Sequence, residues 1–327
     1  MNIKMNLVKN LTDKKNIEKK PTRDGFGDGL VEAGKKDKNV VALCTDLTDS
    51  TRISFFKKEF EDRYFQIGIA EQNMASVAAG MAVSGKIPFI SSYGVFSPGR
   101  NWDQIRVSVC YNNANVKIAG AHTGISVGPD GATHQALEDI AITRCIPNLV
   151  VIAPCDYHET KKATEASAKF KGPVYIRFAR EKTPVFTTKK TPFKIGKANL
   201  LKTGSDVTII ACGPLVYDAL LASHELEKHN ISASVLNNHT IKPIDQKSII
   251  AEAKKTGAVV TVEEHQIMGG MGSAVCEVLA NKFPVPVEMV GMQDSFGESG
   301  TPEELLKKYK MDKSAIIKAV KKVLKRK

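Results

Sequence analysis

Residues 64–93 read YFQIGIAEQNMASVAAGMAVSGKIPFISSY, and this stretch decides the fold. An apolar run, Tyr64–Ile69, stops at Ala70-Glu71. An Ala- and Gly-rich helical pattern over 72–84 follows, and Pro88–Tyr93 is a second apolar run. Two buried strands joined by a helix within about 30 residues form a βαβ unit, whose strands run parallel with both faces covered. The pattern repeats on either side. Val40–Thr45, Val116–Ala121, Leu149–Ala153 and Val174–Phe178 read as further strands, with helices predicted over 24–35, 98–111 and 156–169. The chain turns polar from about Thr183 to Lys197, which reads as a linker. A second series follows, with strands at Val207–Ala211, Ala233–Leu236, Val259–Val262 and Val287–Val290 and helices over 214–228, 244–255, 271–281 and 312–325. The expectation is an α/β protein of two doubly wound domains. A mainly parallel-sheet domain over 21–185 and a linker over 186–200 precede a smaller α/β domain over 201–327. No internal repeat is visible.

Composition narrows the function class. The chain has 327 residues, 42% hydrophobic and 25% charged, which excludes a disordered or fibrous chain. No apolar run is long enough to cross a membrane. The six cysteines have no close pairing, so neither a zinc ribbon nor a redox CxxC is expected, and reduced thiols point to the cytoplasm. The net charge of +12 resides at the ends: residues 1–20 carry six Lys against two acids, and 306–327 carry ten Lys or Arg against one. The body between is close to neutral and lacks a basic stripe interleaved with aromatics, so no specific nucleic-acid groove is expected. Residues 1–20 read as a disordered basic tail.

Two glycine clusters are decoys. Gly27-Asp28-Gly29 could open a diphosphate-and-magnesium motif, but that motif needs an Asn roughly 25–30 residues on, and 52–60 contain none. It also falls inside a helical pattern. Gly269-Gly270-Met271-Gly272 lacks dinucleotide spacing and reads as close helix–sheet packing. A P-loop and a nucleophile elbow are both missing.

Chemistry concentrates where the first series of strands ends, the edge at which parallel sheets bind ligands. Glu71 stands at such an end, ahead of an apolar helix. Its plain reading is a first-turn acid complementing the helix dipole, while its apolar flanks suggest a buried ligand-facing carboxyl. In Ser92-Tyr93-Gly94-Val95-Phe96, two aromatics could offer faces to a flat heterocycle, and core packing is the equal alternative. The loop from His122 to Gln135 holds His122, Asp130 and His134 among Gly124, Gly128, Gly131 and Pro129. Two imidazoles flanking a carboxylate on a shaped loop suit binding or proton transfer.

These residues, in order, resemble the thiamin-diphosphate enzymes, and among them transketolase. The likeness covers roughly 23–310 through Thr22-Arg23, Asp46-Leu47-Thr48, Gly68-Ile69-Ala70-Glu71-Gln72-Asn73-Met74, Trp102-Asp103-Gln104-Ile105-Arg106, Gly128-Pro129-Asp130-Gly131-Ala132-Thr133-His134-Gln135, Tyr175-Ile176-Arg177 with Arg180, and Glu263-Glu264-His265 with Gly269-Gly270-Met271-Gly272. The resemblance implies a pyrimidine-binding domain followed by the transketolase C-terminal domain, together the C-terminal subunit of a split transketolase. It implies that Glu71 hydrogen-bonds the cofactor pyrimidine, favouring the imino tautomer that activates the thiazolium. Tyr93 and Phe96 would flank that ring, with Asp46 nearby. His122 and His134 would serve the reacting sugar as catalytic groups, Asp130 would bind a hydroxyl, and Arg23, Ser50 and Arg180 would clamp sugar phosphate. Thiamin diphosphate and Mg²⁺ are the implied cofactors, the metal ligands coming from an N-terminal partner subunit in a heterotetramer. The beta subunit of a 2-oxo acid dehydrogenase, deoxyxylulose phosphate synthase and a non-catalytic subunit of the same fold are the rival readings.

Overall fold

The structure is a computed structural model that describes residues 5–13 and 15–327. In the first sheet, six strands lie parallel in the order Val150–Ile152, Val174–Phe178, Lys117–Ala121, Ile87–Tyr93, Val40–Cys44, Tyr64–Gln66. Helices Thr22–Lys36 and Tyr157–Lys169 cover one face, where Phe26, Phe89 and Phe178 pack together. Helix Glu71–Val83 lies on the other face. The second sheet carries Val287–Met292, Val259–Gln266, Val207–Ala211 and Ala233–Asn237 in parallel, with Asn199–Lys202 antiparallel at its edge.

The apolar core is continuous between the sheets. Val41, Ile90 and Ile118 share one cluster with Ile210, Leu236 and Met271. Thr240–Lys242, from the second half of the chain, joins the first sheet as an antiparallel edge beside Val150–Ile152. A buried ion pair, Arg177 Nε to Asp139 Oδ2 at 2.8 Å, stands at this junction, and Arg177 also donates to the Glu264 carbonyl at 2.6 Å.

Several expectations are corrected. Residues 5–13 and 15–20 do not form a disordered tail; residues 1–4 and 14 lie outside the described residues. Leu11 and Ile17 are buried against the second-domain core, and Tyr217 donates to the Leu11 carbonyl at 2.9 Å. Lys19–Pro21 then pairs antiparallel with Lys182–Pro184. Leu11 and Ile17, with Met5, Leu7 and Val8 partly buried against the same core, hold the segment. The polar stretch expected as a linker is fastened too, because buried Asp156 accepts from the Phe186 and Thr187 backbones and the Thr187 hydroxyl. The helix expected over 98–111 begins only at Trp102 and widens to π geometry over Ile105–Tyr111. The chain turns tightly first, and Gly99 permits that turn, since a Cβ there would lie 2.1 Å from the Val95 carbonyl oxygen. The strand expected to reach Ile69 ends at Gln66, before Gly68 at φ +81°.

Candidate functional site

The carboxyl ends of the first-sheet strands, with the start of helix Thr22–Lys36, bring most of the expected residues together. Glu71 is the first residue of its helix and is almost wholly buried, 1% exposed. Its Oε1 accepts from Ser92 Oγ at 3.0 Å and its Oε2 from Arg100 Nη1 at 2.6 Å. Asn101 donates to the Glu71 carbonyl at 3.2 Å, tying the turn after Phe96 to the helix start. Glu71 keeps the first-turn position of its plain reading, and it is in addition a buried acid with a built surround.

Tyr93 and Phe96 lie near parallel with ring centroids 6.1 Å apart. The His134 ring meets Phe96 edge-on at 5.6 Å, and His122 stacks on Tyr93 at 4.2 Å. Arg100 rests its guanidinium over Phe96 at 4.5 Å. His122 occupies left-handed backbone at φ +54°, which turns its ring into the cluster. Its Nε2 lies 3.1 Å from the Ser50 carbonyl and 3.5 Å from Arg23 Nη1, while its Nδ1 is buried without a partner. Burial, reinforced by the Arg23 charge, lowers the His122 pKa to about 3. At neutral pH this ring is a neutral imidazole.

Arg23 donates to the Ser50 carbonyl at 2.9 Å; its own pKa is lowered by burial and by Arg52 and Arg180 nearby. Three guanidinium groups held this close repel one another, and an anion between them would relieve that repulsion. They line a cleft of about 600 Å³ together with Lys19 and Lys182 and the acids Asp24, Glu181 and Glu303. Asp130 bonds Arg180 at 2.7 Å, and Arg52 bonds Asp24 at 2.7 Å. Arg52 and Arg100 escaped the sequence reading: nothing local marks Arg52, and Arg100 follows an irregular turn that reads as helix. Asp46 stands apart. It is exposed at φ +61°, its backbone N–H donating to Gln66 Oε1, and no contact links its side chain to Glu71, Tyr93 or Phe96.

The loop carrying Asp130 and His134 is shaped by the second domain. Gly128 and Gly131 both have positive φ, and Cβ atoms there would press on Gly300 and Ser299. Gln135 donates to the Ile125 and Glu298 carbonyls, and Glu264 accepts from the Ser126 backbone at 3.1 Å. The decoys resolve as packing. A Cβ on Gly25 or Gly29 would strike helix Tyr157–Lys169, and Asp28 accepts from the Tyr157 hydroxyl. Glu263 accepts from the Met271 and Gly272 backbones, so a carboxylate of the protein fills that helix start. Among the described residues, no cluster of three or more His, Cys, Asp or Glu is arranged to hold a metal ion.

Comparison with known proteins finds relatives over nearly the whole chain. Residues 18–185 match the family model of the transketolase pyrimidine-binding domain, and 196–316 that of the transketolase C-terminal domain. A Methanocaldococcus jannaschii protein named as a transketolase C-terminal section is 48% identical over 304 residues, covering 92% of this chain and 95% of its own length. A 6-deoxy-6-sulfo-D-fructose transketolase subunit from a Clostridium species is 41% identical over 95% of this chain and 97% of its own. The structure of a split-gene transketolase, an inactive β4 tetramer, superposes with a TM-score of 0.88 at 45% identity, covering 93% of this chain and 98% of that one.

Proposed function

The chain belongs to the transketolase family, and from that premise we propose that it is the C-terminal subunit of a split transketolase, transferring a two-carbon ketol unit from a ketose phosphate to an aldose phosphate together with an N-terminal partner subunit. The observation that carries this reading is the gathering of Glu71, His122, Asp130, His134, Arg23 and Arg180 at one edge of one sheet, an acid and aromatics at one end and cations at the other. That polarity suits a cofactor ring beside a phosphorylated sugar.

Thiamin diphosphate, the cofactor this family generally uses, would supply the electron sink for breaking the bond beside the ketose carbonyl. The residues fit its pyrimidine half: a buried acid, Glu71, and a half-buried aromatic, Phe96, are both met by the Arg100 side chain. Glu71 would hold the ring nitrogen, with Tyr93 and Phe96 flanking the ring. The neutral His122 would exchange hydrogen bonds with donor oxygens through its unpartnered Nδ1. His134 would carry the proton to or from the reacting oxygen, and Asp130 would bind a neighbouring hydroxyl. Arg23, Arg52 and Arg180, with the Ser50 segment, would grip the terminal anion, to which guanidinium forks are matched.

The diphosphate and Mg²⁺ are assigned to the partner. Support for a partner comes from the relatives named as sections or subunits, and from exposed Ile69, Val83, Val107 and Tyr111 around the Glu71 helix. We extend this to a heterotetramer. A cytoplasmic location fits six free thiols; among the described residues, no helix is long and apolar enough to cross a membrane. The test is reconstitution with a candidate partner carrying the diphosphate-binding domain, assayed with xylulose 5-phosphate or sulfofructose as donor and ribose 5-phosphate as acceptor. Turnover is expected only from the mixture. Turnover by this chain alone, or none with any donor in the mixture, overturns the reading.

A further inference from the structure

We propose that Arg100 is a gate on the cofactor seat: its guanidinium stands where the aminopyrimidine goes, and it swings out when the ring enters. The inference rests on the cofactor reading above and adds a residue to it. Both oxygens of Glu71 are engaged, Oε1 by Ser92 at 3.0 Å and Oε2 by Arg100 at 2.6 Å. The same guanidinium lies over Phe96 at 4.5 Å. A guanidinium is flat, stacks on aromatic faces and carries N–H donors at its edge. An aminopyrimidine is likewise flat and stacks on aromatic faces, and its ring nitrogen pairs with a carboxyl, accepting from the protonated acid or donating to the carboxylate once itself protonated, so both groups seek the Phe96 face and Glu71. Both need the one space between the Phe96 ring and Glu71 Oε2.

The two partners differ in freedom. The Glu71 side chain is 1% exposed, whereas Arg100 is 45% exposed. Glu71 is further fixed through Ser92 and Asn101, so the arginine is the member able to leave. Its backbone stays put, because the Arg100 N–H donates to the Phe96 carbonyl at 3.0 Å and neighbouring Asn101 is buried and bonded to Ser97 Oγ at 3.1 Å. Only the side chain moves. A ligand that must displace an internal competitor binds more weakly by the fraction of time the seat is open. For a half-exposed ion pair an open fraction near one in ten is a reasonable scale, so removing the competitor tightens binding roughly tenfold.

The experiment uses the full chain and the isolated pyrimidine, 4-amino-5-hydroxymethyl-2-methylpyrimidine, titrated by NMR up to its solubility. Arg100→Ala is expected to bind roughly tenfold more tightly than the native chain, and Arg100→Lys, which keeps the charge without the flat face, in between. Adding Glu71→Ala to either background is expected to abolish binding. Circular dichroism and thermal melts verify that each variant is folded. Equal, weaker or no binding by a folded Arg100→Ala chain, with Arg100→Lys no tighter than native, overturns the gate. Binding that survives Glu71→Ala overturns the cofactor reading instead, so the two failures are separable.

Discussion

His122 shows how much one position can be set by its surroundings. Its burial and the neighbouring Arg23 charge hold the folded-state pKa at about 3, far below the ordinary 6.5. The unfolded chain therefore binds an extra proton throughout that interval, and its share of stability is present above pH 6.5 and lost as pH falls towards 3. Compared with His122→Gln, the native chain is expected to lose about 1.4 kcal/mol more per pH unit between pH 6 and 4. Urea midpoints of both proteins over that range measure it, and parallel curves would show that the imidazole is already charged in the fold. Candidate residues such as Glu71, His122 and Asp130 were legible because each follows a strand signal or sits on a glycine-rich loop. The electrostatics were not, since Arg23 lies 99 positions from His122 in the chain.

At the level of elements, the strands and most helices could be read from apolar periodicity, because both faces of a parallel sheet are buried. What escaped reading was held by single polar anchors. Asp156 caps helix Tyr157–Lys169 through the Glu159 backbone and also fastens Phe186 and Thr187. A run of Thr, Lys and Pro looks like a free connection until a buried carboxylate far away in sequence pairs its backbone. Asp156→Ala leaves three buried N–H groups without an acceptor, and an unmet donor costs about 1–3 kcal/mol. A loss of about 3–5 kcal/mol in unfolding free energy is expected from chemical denaturation; a loss below about 1 kcal/mol would mean that water replaces the carboxylate freely. Short antiparallel pieces such as Thr240–Lys242 were illegible for a related reason. Three residues carry too little pattern, and their partner lies in the other half of the chain.

For the molecule as a whole, the N-terminal segment acts as a strap across the second domain. Leu11 and Ile17 sit in its core, and the segment then enters a two-stranded ribbon with Lys182–Pro184. Lys9, Lys15, Lys19 and Lys20 are exposed, while Leu11 and Ile17 between them are buried. Burying an aliphatic side chain contributes about 1.5–3 kcal/mol. Removing residues 1–17 is therefore expected to lower stability by about 3–5 kcal/mol, read as a fall in melting temperature together with new exposure of Tyr217. An unchanged melt would show the strap to be ornamental.

The stitch made by Thr240–Lys242 has a practical meaning for anyone dividing this polypeptide. A fragment cut after the polar connection would be left with Val150–Ile152 as a naked border, its amide row seeking any strand that floats by. Self-adhesion of such a fragment would say nothing about how the intact subunit assembles. Dissection into halves is the wrong approach to this protein; single-site changes within the whole chain are the right one.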